Sequence, residues 1–270
     1  MAVAEPRLSG FLDDCLHEAS ALALAIRGRS AETKAGDRNQ VVTDADRRIG
    51  ALLVGRIRDE FPDATVIEEE SGVVTGTGDQ VWIVDPVDGT SNYVAGSPLY
   101  GTMLALVEHG RPVAAGVALP AFGHWYSAEA GHGLRSCGQP VEPAAPGRLA
   151  DSLVAYGLDV GSPAQTRADW RLLESLTRCV RGVRMSNSVF DAVMVATGVY
   201  GAFVHRRMRI WDVAPIDALV TAAGGACTDL AGRLLDWTCP VDRVDETFAV
   251  CVTAPGLAQP LREIIAWKES

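Results

Sequence analysis

Apolar positions in the first part of the chain recur at helical spacing. Leu8, Phe11, Leu12, Cys15, Leu16, Ala19, Leu22, Ala23 and Ile26 predict an amphipathic helix over residues 8–26. A polar stretch from Gly28 to Gln40, containing Lys34, separates it from a second helix. Thr43-Asp44-Ala45-Asp46 opens that helix with a hydroxyl cap and an acid three residues on. Ile49, Leu52, Leu53, Ile57 and Phe61 give its buried face, and Pro62 ends it. The period then changes. Short β-branched runs at Ala64–Ile67 and Val81–Val84 predict strands, and Thr102–Glu108 with Pro112–Leu119 predict a hairpin around His109-Gly110-Arg111. His124–Ala128 and Gly133–Cys137 predict another hairpin. The Pro-, Ala- and Gly-rich segment from Pro140 to Arg148 predicts a boundary between an N-terminal half, 1–140, and a C-terminal half, 141–270.

Beyond it, strands and helices alternate. Strands are expected at Leu153–Tyr156, Val180–Met185, Ala202–Val204 and at the end of Val241–Val252. Helices are expected at Ala164–Arg178, Val189–Thr197, Asp212–Ala223 and Leu261–Trp267, and Pro215 is placed in the first turn of its helix. Two helices, then antiparallel strands, then α/β alternation predict a layered sandwich of helices and sheets.

A formal net charge of −10 argues against a partner that binds through the nucleic-acid backbone. It does not argue against a small phosphate ester, because a bound cation can reverse the local field. The six cysteines are scattered without zinc or redox spacing, which favours reduced thiols and a cytoplasmic setting. The N-terminus lacks a secretory pattern, and no apolar run approaches the ~20 residues that span a bilayer. A soluble protein that binds neither nucleic acid nor membrane is expected.

Candidate chemistry centres on Asp85-Pro86-Val87-Asp88-Gly89-Thr90, expected just past the end of a strand. Alone, Asp, Gly and Pro read as a solvated turn. Equally, two carboxylates three residues apart can converge, the N–H groups of Gly89 and Thr90 can bind phosphate, and the Thr90 hydroxyl can hold or deprotonate a water. Glu68-Glu69-Glu70 ends another strand, either as a solvated charge run or with one glutamate facing inward. Asp212, opening an apolar helix, reads in isolation as its N-cap.

These strings resemble, in order, four motifs of the inositol monophosphatase family. Asp85-Pro86-Val87-Asp88-Gly89-Thr90-Ser91-Asn92-Tyr93 is similar to its first signature, and Trp211-Asp212-Val213-Ala214-Pro215, running to Gly224-Gly225, to its second. Glu69-Glu70-Ser71-Gly72 resembles its glutamate-bearing strand end, and Val42-Thr43-Asp44-Ala45-Asp46 its early acidic motif. The resemblance spans roughly residues 8–255 and implies a sugar-phosphatase-type α-β-α-β-α sandwich.

It also implies a Mg²⁺-dependent phosphomonoesterase and, commonly, a homodimer. Glu69, Asp85 and the Val87 carbonyl would hold one Mg²⁺; Asp85, Asp88 and Asp212 a second; a third would lie near Glu69. All-oxygen ligands suit Mg²⁺, with Mn²⁺ as a substitute. Two Mg²⁺ only neutralise four carboxylates, so a third ion or Lys34 would supply the attraction for a phosphate dianion. Water activated by the cations would attack phosphorus in line. Thr90, Asp46 and Glu69 would act in catalysis. Gly89, Thr90, Asp88, Lys34, Ser188 and His205 would contact substrate or phosphate.

The substrate expected is inositol monophosphate or a related cyclitol or sugar phosphate. Histidinol phosphate, a nucleotide 3′,5′-bisphosphate and fructose 1,6-bisphosphate are alternatives within the superfamily, and a non-catalytic regulatory protein is a further one. Inositol-selective members have a glutamate seven residues before the second-signature Asp, where this chain has His205, followed by Arg206 and Arg207. These three are either exposed loop residues or a pocket with altered hydrogen-bonding chemistry. Ser186-Asn187-Ser188 stands where the family often lines its substrate pocket with small residues.

Overall fold

The computed structural model describes residues 8–27, 31–33, 41–144 and 147–266. Helix α1 (Leu8–Ile26) is followed by a two-stranded ribbon, β1 (Ala31–Thr33) and β2 (Val41–Thr43), and by α2 (Asp44–Glu60). Next come β3 (Thr65–Glu68), β4 (Gly72–Val74), β5 (Val81–Asp88), the short helix α3 (Thr90–Val94), β6 (Gly101–Glu108) and β7 (Arg111–Leu119). Strands β8 (His124–Glu129), β9 (Gly133–Ser136) and β10 (Gln139–Pro140) complete an eight-stranded sheet of order β10-β9-β8-β7-β6-β5-β3-β4, antiparallel except where β3 and β5 run together.

The remaining elements are β11 (Leu153–Gly157), α4 (Pro163–Cys179), β12 (Gly182–Arg184), α5 (Phe190–Ala196), β13 (Ala202–Met208), α6 (Ile210–Ala222), β14 (Ala226–Asp229), β15 (Phe248–Thr253) and α7 (Ala258–Ala266). Their strands form a five-stranded sheet, β12-β11-β13-β15-β14.

Period-two alternation along the large sheet sorts its side chains into two cores. Trp82, Val84, Leu104, Leu106, Ala114 and Ala118 pack against Leu12, Leu16, Ile49 and Leu53 of α1 and α2. Ile67, Ile83, Met103, Ala105, Ala115 and Val117 face the other way, into a core shared with Val213, Ile216 and Leu219 of α6 and with the smaller sheet. Helix α6 contacts strands of both sheets, and its apolar residues run all round it, as a helix enclosed on both sides requires. Helices α4 and α7 pack together on the far side of the smaller sheet. The layers are therefore α-β-α-β-α, the expected sandwich.

Three expectations need correction. Strand β5 does not stop at Val84 but runs through the acidic motif to Asp88. Helix α6 starts at Ile210, with Arg209 as N-cap, so Asp212 is its third residue rather than the cap. Pro215 consequently lies inside the helix and not in its first turn. Among the described residues, no helix is long and apolar enough to cross a membrane.

Candidate active site

Strand parity decides where the acids point. Glu68 pairs with Val84 and shares its face, toward α2. A Cβ placed on Gly50 of α2 would lie 2.7 Å from Glu68 Oε1, so Glu68 is pressed against that helix. Its carboxylate accepts the N–H groups of Glu70 (3.1 Å) and Ser71 (2.6 Å) and the Ser71 hydroxyl, and the residue is only 2% exposed. Glu69, one position on, pairs its N–H with the Val84 carbonyl and lines the cleft. Of the adjacent glutamates, Glu68 braces the loop and Glu69 faces the site.

The same alternation puts Asp85 on the α6 side and would put Asp88 on the opposite one. The pairing register shifts by one residue between Asp85↔Met103 and Asp88↔Gly101, so the strand carries an extra residue there. The bulge reverses the parity: Val87 enters the core beneath α1 and α2, and Asp88 turns to the same side as Asp85. Pro86 has no N–H to donate; its carbonyl accepts the Thr102 hydroxyl at 2.7 Å.

Helix α6 brings the third acid. Asp212 Oδ2 accepts the Arg209 N–H at 2.6 Å, which fixes the carboxylate at the helix start. Ligand oxygens of Asp85, Asp88 and Asp212 all lie within 4.8 Å of one another. At that separation each charged pair repels by about 3.5 kcal/mol at an effective dielectric of 20. Burial, followed by the charges of Glu69 and Asp88, holds the Asp85 carboxyl well above its usual range. Asp88 is likewise raised well above it, by burial and then by Asp212, although it accepts the Val189 N–H. Asp212 is pushed up to about 6, mainly by burial.

Asp85 Oδ1 is buried without a hydrogen-bond partner. An unpaired buried carboxylate oxygen among two more carboxylates is a costly arrangement that a cation relieves. The residues fit a hard divalent ion, since every side-chain donor is oxygen.

Beside the cluster, Gly89 holds a left-handed conformation (φ 76°) that carries the chain from β5 into α3. A Cβ there would lie 3.0 Å from Ser188 Cβ and 3.1 Å from the Leu99 carbonyl. The Thr90 hydroxyl lies 2.9 Å from the Val87 carbonyl and 3.2 Å from Asp46 Oδ1. Asp46, fully buried, is oriented by its helix cap: Oδ2 accepts the N–H (2.7 Å) and hydroxyl (2.5 Å) of Thr43, leaving Oδ1 to Thr90. Burial raises the Asp46 carboxyl.

Glu69, Asp88, Gly89, Thr90 and Asp212 line part of a cleft of about 360 Å³. His205, Arg207, Ser188, Asn187 and Asp159 line the rest, with Phe203 and Met208. His205-Arg206-Arg207 is not an exposed loop: it belongs to β13, which continues well past Val204. Arg206 and Arg207 reach Asp169 of α4, fully buried, at 3.4 and 3.0 Å, and Tyr156 donates to the same carboxylate at 2.9 Å. That buried counter-charge allows an interior strand to carry two arginines. Lys34 lies outside the described residues.

Sequence reasoning missed Asp159 and Asp169. Asp159 stands just past β11, an acid at a strand end as in the first motif, so the signal was there. Asp169 looks like any helix acid until β13 is packed beside it.

The sequence profile of the inositol monophosphatase family matches residues 16–265. The chain belongs to the inositol monophosphatase family. It is a phosphoric monoester hydrolase of that metal-dependent family. It is 37% identical to the inositol-1-monophosphatase ImpA of Mycolicibacterium smegmatis over 88% of this chain and 84% of that one. It is also 35% identical to a histidinol-phosphatase of Streptomyces coelicolor, over 71% and 74% of the two chains. An IMPase of Thermotoga maritima superposes with a TM-score of 0.83 at 26% identity, covering 97% and 98%.

Proposed function

We propose that the chain hydrolyses inositol monophosphate, or a closely related cyclitol or sugar monophosphate, with Mg²⁺ as its cation. The observation that carries this reading is the convergence of Asp85, Asp88 and Asp212, with a buried unpartnered oxygen, beside a cleft lined by Thr90, whose hydroxyl lies 3.2 Å from buried Asp46. Glu69, Asp85 and the Val87 carbonyl would hold one ion, Asp85, Asp88 and Asp212 a second, and the surroundings of Glu69 a third. Bound there, Mg²⁺ supplies positive charge toward the phosphate oxygens and acidifies water.

The chain's own groups do the rest. Thr90 has one proton to give, to Asp46 Oδ1 or the Val87 carbonyl, so its oxygen lone pairs are left to accept a proton from water in the cleft. Asp46 fixes that orientation and can take the proton onward. Gly89 and Thr90 open α3 with N–H groups that lack intrahelical acceptors, suited to phosphate oxygens. A cytoplasmic setting belongs to the same reading, since all six cysteines are free thiols, as a reducing compartment keeps them; a homodimer belongs to it through the family resemblance alone.

One alternative has specific support. The Streptomyces coelicolor relative is named a histidinol-phosphatase, and an acid in the cleft such as Asp159 could meet an ammonium group. Phosphate release with Mg²⁺ from inositol 1-phosphate, histidinol phosphate, fructose 1,6-bisphosphate and adenosine 3′,5′-bisphosphate separates the readings. Inositol 1-phosphate is expected to have the highest kcat/KM; a higher value for histidinol phosphate or a bisphosphate would reject the assignment.

A further inference from the structure

The cleft is lined by a further carboxylate outside the cluster of Asp85, Asp88 and Asp212. Asp159 follows β11, lines the cleft, and adds to the negative field at Asp212. Its Oδ2 lies 3.5 Å from His205 Nε2 and 3.9 Å from Arg207 Nε, and its Oδ1 lies 3.5 Å from Asn187 Nδ2. These distances exceed those of good hydrogen bonds, so both oxygens keep accepting capacity. The side chain is 35% exposed.

Its neighbours are committed elsewhere. Arg207 donates from Nη1 to Asp169 Oδ2 at 3.0 Å and from Nη2 to the Asp159 carbonyl at 3.1 Å, with only 18% of its side chain exposed. His205 Nδ1 accepts the Arg207 N–H at 3.1 Å, which places the ring proton on Nε2, toward Asp159. Burial lowers the His205 pKa, keeping the ring neutral. The ring is accommodated because residue 157 is glycine: a Cβ there would lie 1.7 Å from His205 Cδ2.

Around Asp159 the arginine charge is spent: Arg206 and Arg207 offset Asp159 and Asp169, leaving no surplus positive charge for a second phosphate. What Asp159 offers the cleft is an acceptor for hydroxyl protons. We propose that Asp159 is a specificity-determining residue that accepts a hydroxyl proton of the substrate alcohol, so that the cleft selects a polyol monophosphate. This inference rests on the cleft being the phosphatase site proposed above.

The test compares inositol 1-phosphate with cyclohexyl phosphate, a six-membered ring without hydroxyls, at saturating Mg²⁺. Asp159→Asn should lower kcat/KM for inositol 1-phosphate about tenfold to a hundredfold, the range for a hydrogen bond to a charged group. The loss should fall mainly in KM. Turnover of cyclohexyl phosphate should stay within about threefold, which also reports an intact fold and metal site. Asp159→Ser should behave alike and serves if the first variant does not fold. An equal loss on both esters, or no loss on either, would overturn the proposal. So would a wild-type preference for histidinol phosphate that disappears in Asp159→Asn, since the carboxylate would then serve an ammonium. If the wild type released phosphate from none of these esters, the underlying phosphatase reading would fail, separately from any result on Asp159.

Discussion

Removing one charge from the acidic cluster should stabilise the protein when cations are absent. Asp212 has a pKa of about 6 in the folded chain against 3.8 for an ordinary carboxyl. Between those values the folded state holds a proton that the unfolded state has released, so stability falls as pH rises from about 4 through about 6. Two units of pKa correspond to about 3 kcal/mol, fully lost above pH 7. Asp212→Asn removes this cost and keeps an oxygen for the Arg209 N–H. In chelator at pH 8 the variant should therefore be more stable by about 3 kcal/mol, a rise of about 6–12 °C in Tm for a chain of this size. Near pH 4 the two proteins should melt together. With saturating Mg²⁺ at pH 8 the order should reverse, because the wild type gains binding energy that the variant has lost. Thermal unfolding followed by circular dichroism, with and without EDTA, reads all three conditions. A variant less stable than wild type at pH 8 in EDTA, or a difference independent of pH, would refute the electrostatic argument.

Two further predictions concern neighbouring residues. Thr90→Ala should leave Mg²⁺ binding by calorimetry within about threefold while kcat falls by about 10²–10⁴, the range for a lost proton-transfer group; retained kcat would remove Thr90 from the mechanism. Glu68→Gln and Glu69→Gln should separate. The first weakens a buried carboxylate that accepts three hydrogen bonds and should lower stability by about 1–3 kcal/mol. The second should lower Mg²⁺ affinity with little change in urea midpoint, and the opposite pattern would exchange their roles.

Local signals in the sequence carried over into the structure most directly. The Thr43/Asp46 capping box, the first two helices and the Gly101–Leu119 hairpin depend on residues a few positions apart, and all are visible as patterns. The convergence of Asp85 and Asp88 was legible as a possibility of their spacing, but not the way the backbone achieves it. The β-branched run suggests a strand ending at Val84, yet the strand continues through Pro86 to Asp88, and only pairing with β6 reveals the bulge that brings the two acids to one face. The three adjacent glutamates are equivalent as a string; they are distinguished by the register of β3 on β5 and by Gly50 on α2. For His205 to Arg207 the string leaves an exposed loop and a pocket both open, because the buried partner that decides between them, Asp169, comes from a distant helix. Asp159 carried a local signal, an acid just past a strand end, but its neighbours His205 and Arg207 appear only when β11 and β13 lie side by side.

The most direct test of the account is the rate of inorganic phosphate release from inositol 1-phosphate, measured for wild type and Asp88→Asn with saturating Mg²⁺ and again with excess EDTA. Release should occur only with Mg²⁺, and Asp88→Asn should retain less than about a tenth of it, a barrier higher by more than about 1.4 kcal/mol. Turnover that persists in EDTA, or an Asp88→Asn enzyme as fast as wild type, would contradict a phosphatase built on the carboxylates of Asp85, Asp88 and Asp212.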